Sequence, residues 1–114
     1  MDYTSLMSEI VGTYQKHSWK LHRVLLRSET RGALGDYVLS LGSVPIEESS
    51  IDALWFSRPS HNDRDAWELR LLAETQYALF ETFEADETEE QREELRHEME
   101  ALLRDVLRGP NGNL

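Results

Sequence analysis

Apolar and polar residues alternate in the segment WELRLLAE, residues 67–74, and this alternation decides the fold class of the chain. A tryptophan and two leucines are separated by a glutamate and an arginine, which is the period of two expected of a half-buried strand. Residues 66–85 are rich in good helix formers, so one long helix is the alternative. Their apolar side chains, however, scatter around the circumference of such a helix instead of forming a stripe. The pattern therefore predicts two strands, 67–74 and 77–84.

The remaining elements are predicted from the same two periods. Residues 3–17 carry an apolar stripe at helical spacing, and the last helix can be capped by Asp86 or Thr88, with a capping-box partner three residues after each. Gly109-Pro110 ends that last helix. Further predictions are a strand at 18–28, a helix from Thr30 to Leu41, a loop at 43–50 and a strand at 51–58.

The predicted order is α-β-α-β-β-β-α, which is an α+β fold with a mostly antiparallel four-stranded sheet packed with three helices. We expect a single domain over residues 1–109 and a flexible C-terminal tail over 110–114. Both faces of the strands carry apolar residues. Unless the helices cover both faces, one face would stay exposed, so a homodimer or larger homo-oligomer is predicted.

Charge and composition limit the classes of partner. The net charge is −10, and residues 81–100 contain ten acidic residues and two arginines, giving this segment a charge of −8. Such a field repels phosphate backbones, so nucleic-acid binding is not expected, whereas a basic protein partner is. The acidic residues Glu90, Glu93 and Glu94 are the predicted partner-binding residues. A solvated helix face that serves only solubility is the alternative.

Other features of the sequence point away from the membrane and from thiol chemistry. No apolar run has the length of a membrane span, and the N-terminus lacks the pattern of a secretory signal. There is no cysteine, which excludes disulfides and thiolate chemistry. We therefore predict a cytoplasmic protein that does not associate with membranes.

One short stretch, RPSHNDRDAW at 58–67, is dense in reactive side chains. Its proline, serine, asparagine and aspartates favour a turn between two strands. The residues His61, Asp63 and Asp65 could supply ligands to a divalent metal, but their spacing matches no known metal motif. A solvated loop is therefore predicted, with a metal site or a protein-contact loop as alternatives.

No motif predicts catalysis. The segment HEMEA has an alanine where the zinc-protease motif needs its second histidine, and no serine has a GxSxG context. We predict no cofactor and no catalytic residues.

The favoured function is a small, acidic, self-associating protein-interaction or regulatory module. The alternative is a small-molecule-binding domain or minor enzyme with a pocket between the sheet and a helix. Aromatic and basic residues would line that pocket: Tyr14, His22, Arg23, Tyr37, Trp55 and Trp67.

Overall fold

A five-stranded sheet with helices on both faces forms the protein. The computed structural model describes residues 2–109; the predicted flexible tail at 110–114 lies outside the described residues. The elements are, in chain order, α1 (Tyr3–Lys16), β1 (Lys20–Leu26), α2 (Ser28–Leu34), β2 (Ile46–Glu48), β3 (Ala53–Pro59), β4 (Asp65–Leu71), β5 (Ala78–Phe83) and α3 (Glu89–Arg108), with 3₁₀ turns at Gly35–Leu41 and His61–Asp63.

The strands are arranged in the order β2-β1-β3-β4-β5. Strands β1, β3, β4 and β5 pair antiparallel, as predicted, whereas β2 pairs parallel with β1. The α+β class and the three α-helices are confirmed. The four-stranded sheet is a wrong prediction, because the expected loop at 43–50 contains β2. This strand is parallel because the chain crosses over the sheet through α2 and a 3₁₀ turn before it returns.

The segment 66–85 forms the β4–β5 hairpin and not a helix. Arg70 on β4 helps to close the connection, because its buried guanidinium donates to the backbone carbonyls of Leu71, Ala73 and Thr75, at 2.5, 3.5 and 3.3 Å. Arg70 is only 8% exposed, so these carbonyl acceptors help to offset the cost of burying its charge. The alternation in the sequence predicted this hairpin correctly.

The predicted helix from Thr30 to Leu41 is broken in the middle. Helix α2 begins at Ser28 and ends at Leu34, and a 3₁₀ segment follows. Gly35 has φ 53° and ψ −130°, a backbone conformation that residues with a Cβ atom rarely adopt. Thr30, where the predicted helix begins, lies inside α2, fully buried, with its hydroxyl bound to Asp52.

Helices cover both faces of the sheet. On one face, α1 and α2 pack through Met7, Ile10 and Leu34 against strand residues such as Phe56, and the 3₁₀ segment adds Tyr37 to this cluster. On the other face, α3 packs against the sheet through its own apolar residues, Met99 and Leu103, and strand residues. The protein's own helices therefore bury the apolar second face whose exposure motivated the predicted homodimer.

Strand β5 lies at one edge of the sheet. The N–H of Leu71 donates to the carbonyl of Tyr77, and alternation from this pair directs the backbone groups of Ala78, Phe80 and Thr82 outward. The outward N–H of Thr82 donates to Glu81 Oε1 at 3.0 Å. Phe80 is 59% exposed.

Candidate functional site

Helix α3 carries most of the acidic segment, and a capping box fixes where it begins. The hydroxyl of Thr88 accepts from the backbone N–H of Gln91 at 3.1 Å, and the Gln91 side-chain oxygen accepts from the Thr88 N–H at 2.9 Å. These two bonds satisfy donors that have no partner within the helix. Glu89 and Glu90 lie in the first turn, where the helix dipole favours carboxylates. Of the two predicted caps, Asp86 and Thr88, it is Thr88 that caps α3.

A bidentate salt bridge between β1 and α3 fixes the orientation of α3 about its own axis. The two Nη atoms of Arg23 donate to the two carboxylate oxygens of Glu93, at 3.0 and 2.9 Å. These hydrogen bonds hold the pKa of Glu93 below its ordinary value. Arg23 faces α3 because the pairing of β1 with β3 shifts register between Leu21 and Arg23, leaving His22 as the extra residue of a bulge.

Beside this salt bridge, a buried cation lies on an aromatic ring. The guanidinium carbon of Arg96, a residue only 4% exposed, is 4.0 Å from the ring centroid of Trp67, and Arg96 also donates to Glu89 at 2.6 Å. The imidazole of His22 packs on the same tryptophan with 4.7 Å between ring centroids. Burial lowers the pKa of His22, and the cations Lys20 and Arg96 lower it further.

One more buried pair joins α3 to the centre of the sheet. The indole N–H of Trp55, which is fully buried, donates to Glu100 Oε2 at 2.9 Å, and Glu100 is only 6% exposed. A buried carboxylate needs such a donor to offset its desolvation. The inner face of α3 is therefore occupied by contacts with the sheet and is not accessible to a partner.

The outer face of α3 presents a different surface. Its residues at intervals of four form a line that turns slowly around the helix. We refer to this set as the outer line: Glu90, Glu94, Glu98, Leu102 and Val106. The three glutamates are exposed, and so are Leu102 (55%) and Val106 (49%). The surface is thus acidic in the first half of the helix and apolar in the second.

The three predicted partner-binding residues do not lie on one surface of α3. Glu90 and Glu94 lie on the exposed outer line, whereas the Glu93 side chain is 34% exposed and bound to Arg23. Consecutive residues of a helix are about 100° apart, so Glu93 and Glu94 cannot share a direction. Glu98, which the sequence analysis did not select, completes the exposed set.

The six residues predicted to line one pocket lie on opposite faces of the sheet. Tyr14 and Tyr37 pack on the face covered by α1. The other four, His22, Arg23, Trp55 and Trp67, face α3. The sheet separates the two groups, so this pocket does not form. The reason is that Tyr14 and Tyr37 belong to α1 and the 3₁₀ segment, which cover one face, whereas the other four side chains point from their strands to the opposite face.

Tyr14 belongs to a polar contact under α1. Its ring stacks on Phe56, with 4.1 Å between centroids, and its hydroxyl donates to the carboxylate of Glu68. Burial raises the pKa of Tyr14, and the hydrogen bond to the charged Glu68 raises it further. This phenol stays protonated at neutral pH and helps to seat α1 on the sheet.

The dense loop does not bring its three candidate ligands together. His61 and Asp63 lie in a 3₁₀ turn in which Asn62 and Asp63 have positive φ values of 58° and 60°. Asp65 begins β4, and its carboxylate accepts from Arg92 Nη1 at 2.9 Å. Among residues 2–109 there is no group of three histidine, aspartate or glutamate side chains that could hold a metal ion.

Comparisons with known proteins do not identify a relative. No protein-family model, no curated protein and no solved structure matches the chain. Within the described part of the chain, no helix combines the length and the apolar character that crossing a bilayer requires. Any functional proposal therefore depends on the geometry of the chain itself.

A second surface was missed by sequence analysis. A cleft of about 600 Å³ lies at the end of the sheet, between the start of α1 and the end of α3, and Arg27, Arg104 and Arg108 are among its lining residues. In the sequence, Arg104 and Arg108 only match the helix dipole, and Arg27 follows a strand without any motif. Only tertiary structure brings the three together.

Proposed function

We propose that the chain is an acidic protein-interaction module, and that the outer line of α3 binds a basic amphipathic helix of a protein partner. The observation that carries this proposal is the exposure of Leu102 and Val106 in continuation of three exposed glutamates. Single exposed apolar residues are common, but Leu102 and Val106 lie one helical turn apart and so expose adjacent apolar side chains. An amphipathic helix buries such a patch through residues spaced three and four apart.

The distribution of charge specifies the chemistry of the partner. Glu89, Glu93 and Glu100 are bound to Arg96, Arg23 and Trp55 within the protein. The uncompensated charge of α3 therefore concentrates on the glutamates of the outer line. A partner helix with lysine or arginine near one end and leucine near the other would match this line in both charge and polarity. Binding of this kind weakens as ionic strength rises.

A synthetic peptide can test the proposal without knowledge of the natural partner. The probe is an amphipathic helix of about 18 residues, five turns, made of leucine and lysine. Calorimetry gives its affinity, and amide shifts of the ¹⁵N-labelled protein give its position. We expect shifts along the outer line, and at least about tenfold weaker binding by the variant Glu90→Lys/Glu94→Lys/Glu98→Lys. Glu93 is left unchanged because it anchors α3.

A matched control separates specific binding from net charge. The variant Glu9→Lys/Asp36→Lys/Glu74→Lys makes the same change in charge at three exposed acids outside α3. It should bind the peptide nearly as well as the unmodified protein. Equal weakening by both triple variants, or shifts that fall away from α3, would contradict the proposal. Leu102→Ser/Val106→Ser should also weaken binding, and unchanged affinity there would remove the apolar half of the proposed site.

The other expectations about function stay predictions. Self-association no longer has an uncovered sheet face to motivate it, and native mass spectrometry of the purified chain would test it directly. Cytoplasmic localisation also stays a prediction. The small-molecule alternative cannot use the six residues proposed for it, since they lie on two faces of the sheet.

A further inference from the structure

The cleft at the end of the sheet has an apolar floor. Ile51, which precedes β3, and Leu71 and Leu72, at the end of β4, contribute to it, and Leu107 of α3 adds to the lining. Its volume of about 600 Å³ lies within the range of roughly 300–1,000 Å³ that small-molecule sites occupy. The floor thus offers burial to an organic molecule of moderate size.

The rim of the cleft gathers positive charge in a protein of net charge −10. Within residues 2–109, the only contacts of Arg104 and Arg108 with carboxylates are long: 4.0 Å from Arg104 Nη2 to Glu100, and 3.8 Å from Arg108 Nη2 to Asp105. Both distances exceed hydrogen-bond length, so these guanidinium groups keep donors that can bind a ligand. Side-chain exposures of 39% and 55% keep them accessible.

Two hydroxyl groups add further donors beside the arginines. Ser50 Oγ accepts from Arg104 Nε at 3.0 Å, and Tyr3 Oη accepts from Arg27 Nη2 at 3.3 Å. Each hydroxyl acts as an acceptor in these bonds, which leaves its own O–H to donate.

The acidic residue in the lining does not oppose an anion in the cleft. Asp52 is 7% exposed, and both its carboxylate oxygens are bound within the protein. Arg27 donates to it through its backbone N–H at 2.8 Å and through Nε at 3.0 Å, and Thr30 Oγ1 donates at 2.7 Å. Arg27 balances the charge of this aspartate, so the arginines of α3 determine the sign of the rim.

We propose that this cleft binds a small organic carboxylate with an apolar body. The carboxylate is held by Arg104 and Arg108, with Ser50 donating beside them, and the apolar body lies against Ile51, Leu72 and Leu107. Guanidinium groups match the planar geometry of a carboxylate, and the apolar floor distinguishes such a ligand from a simple inorganic anion. This site is separate from the outer line of α3 and does not depend on the proposed partner.

Three probes separate the two halves of the proposal. Octanoate has both the charge and the apolar body, octanol has only the apolar body, and inorganic phosphate has only the charge. Calorimetry and ¹⁵N amide shifts of the full chain report affinity and position. We expect octanoate to bind one to one, with shifts around the cleft, and octanol and phosphate to bind at least about tenfold more weakly. Phosphate binding as tightly as octanoate, or no saturation by octanoate up to about 1 mM, would overturn the proposal.

Variants of the rim complete the test. Arg104→Met/Arg108→Met keeps the aliphatic stems and should weaken octanoate binding at least about tenfold. The control Lys16→Met/Arg31→Met removes the same charge at exposed positions outside the cleft and should bind octanoate normally. If the first variant does not fold, Arg108→Met alone, at the more exposed position, provides the test. Unchanged affinity in a folded rim variant would show that the arginines do not hold the carboxylate.

Discussion

The buried carboxylate of Asp52 allows the most direct test of the energetic reasoning. It accepts three hydrogen bonds, two from Arg27 and one from Thr30. Asp52→Ala leaves the hydroxyl of Thr30, which is fully buried, without this acceptor, at a cost of about 1–2 kcal/mol, and the backbone N–H of Arg27 adds about 1 kcal/mol. The Arg27 side chain is 42% exposed and can turn to water, so its salt bridge adds less than about 1 kcal/mol. We expect a total loss of about 3 kcal/mol in the free energy of unfolding.

A double-mutant cycle with Thr30→Val distinguishes this mechanism from a general disturbance. In the unmodified chain, Thr30→Val should cost about 2 kcal/mol, because it removes a hydrogen bond to a carboxylate and the longer bond that the hydroxyl accepts from Arg27 Nη2. In the Asp52→Ala background it should cost nothing or stabilise, because it removes a buried hydroxyl that has lost its acceptor. Urea unfolding followed by tryptophan fluorescence measures the free energy of unfolding of the unmodified chain and of the three variants. A penalty for Thr30→Val that is equal in both backgrounds would refute the reasoning.

Three further predictions concern α3 and β1. Glu93→Gln should lower the free energy of unfolding by about 1 kcal/mol at neutral pH. Because its pKa in the folded state lies below the ordinary 4.5, Glu93 stabilises the fold above that pH and loses this contribution as pH falls. Between about pH 5 and 3, the urea midpoint should therefore drop less for the variant than for the unmodified chain. Parallel curves of midpoint against pH would contradict this. The pKa of His22 is lowered in the folded state, so the unmodified chain loses stability as pH falls below 6.5. His22→Gln should make the melting temperature depend less on pH between about pH 7 and 5. An unchanged slope of melting temperature against pH would contradict this. Thr88→Ala should cost about 1 kcal/mol in thermal unfolding followed by circular dichroism, whereas Thr88→Ser should cost little, and equal losses would argue against the capping role.

Strong periodicity made part of the fold predictable. The alternation at 67–74 gave the β4–β5 hairpin, and the stripe at 3–17 gave α1. The capping residues before Glu89 placed the start of α3 correctly. In each case a local pattern and the tertiary packing favour the same structure, which is the condition under which sequence reasoning succeeds.

Strand β2 and the break after α2 could not be predicted in the same way. Three residues, Ile46–Glu48, are too few to show a period, and their pairing with β1 depends on residues far away in the sequence. Gly35 ends α2 in a conformation that glycine permits but does not require. An isolated glycine within an apolar stripe therefore left the helix prediction unchanged.

The candidate sites depend on tertiary contacts, which local sequence patterns do not indicate. The bulge at His22 directs both this residue and Arg23 towards α3. No residue pattern around position 22 predicts this bulge. The inward position of Glu93 follows from where its partner Arg23 lies. Charge density correctly marked α3 as acidic, but only the packed structure separates the carboxylates that anchor the helix from those that remain exposed.

Strand β5 carries its own protection against edge-to-edge aggregation. Its sequence ALFETF has neither proline nor lysine, two of the residues that proteins use to block the pairing of outer strands between molecules. Instead, the carboxylate of Glu81 folds back onto the outward N–H of Thr82. A strand from another copy would have to displace this charged acceptor and bring two glutamates near each other. We therefore expect a neutral apolar residue in place of Glu81 to favour pairing of this edge with β5 of another copy.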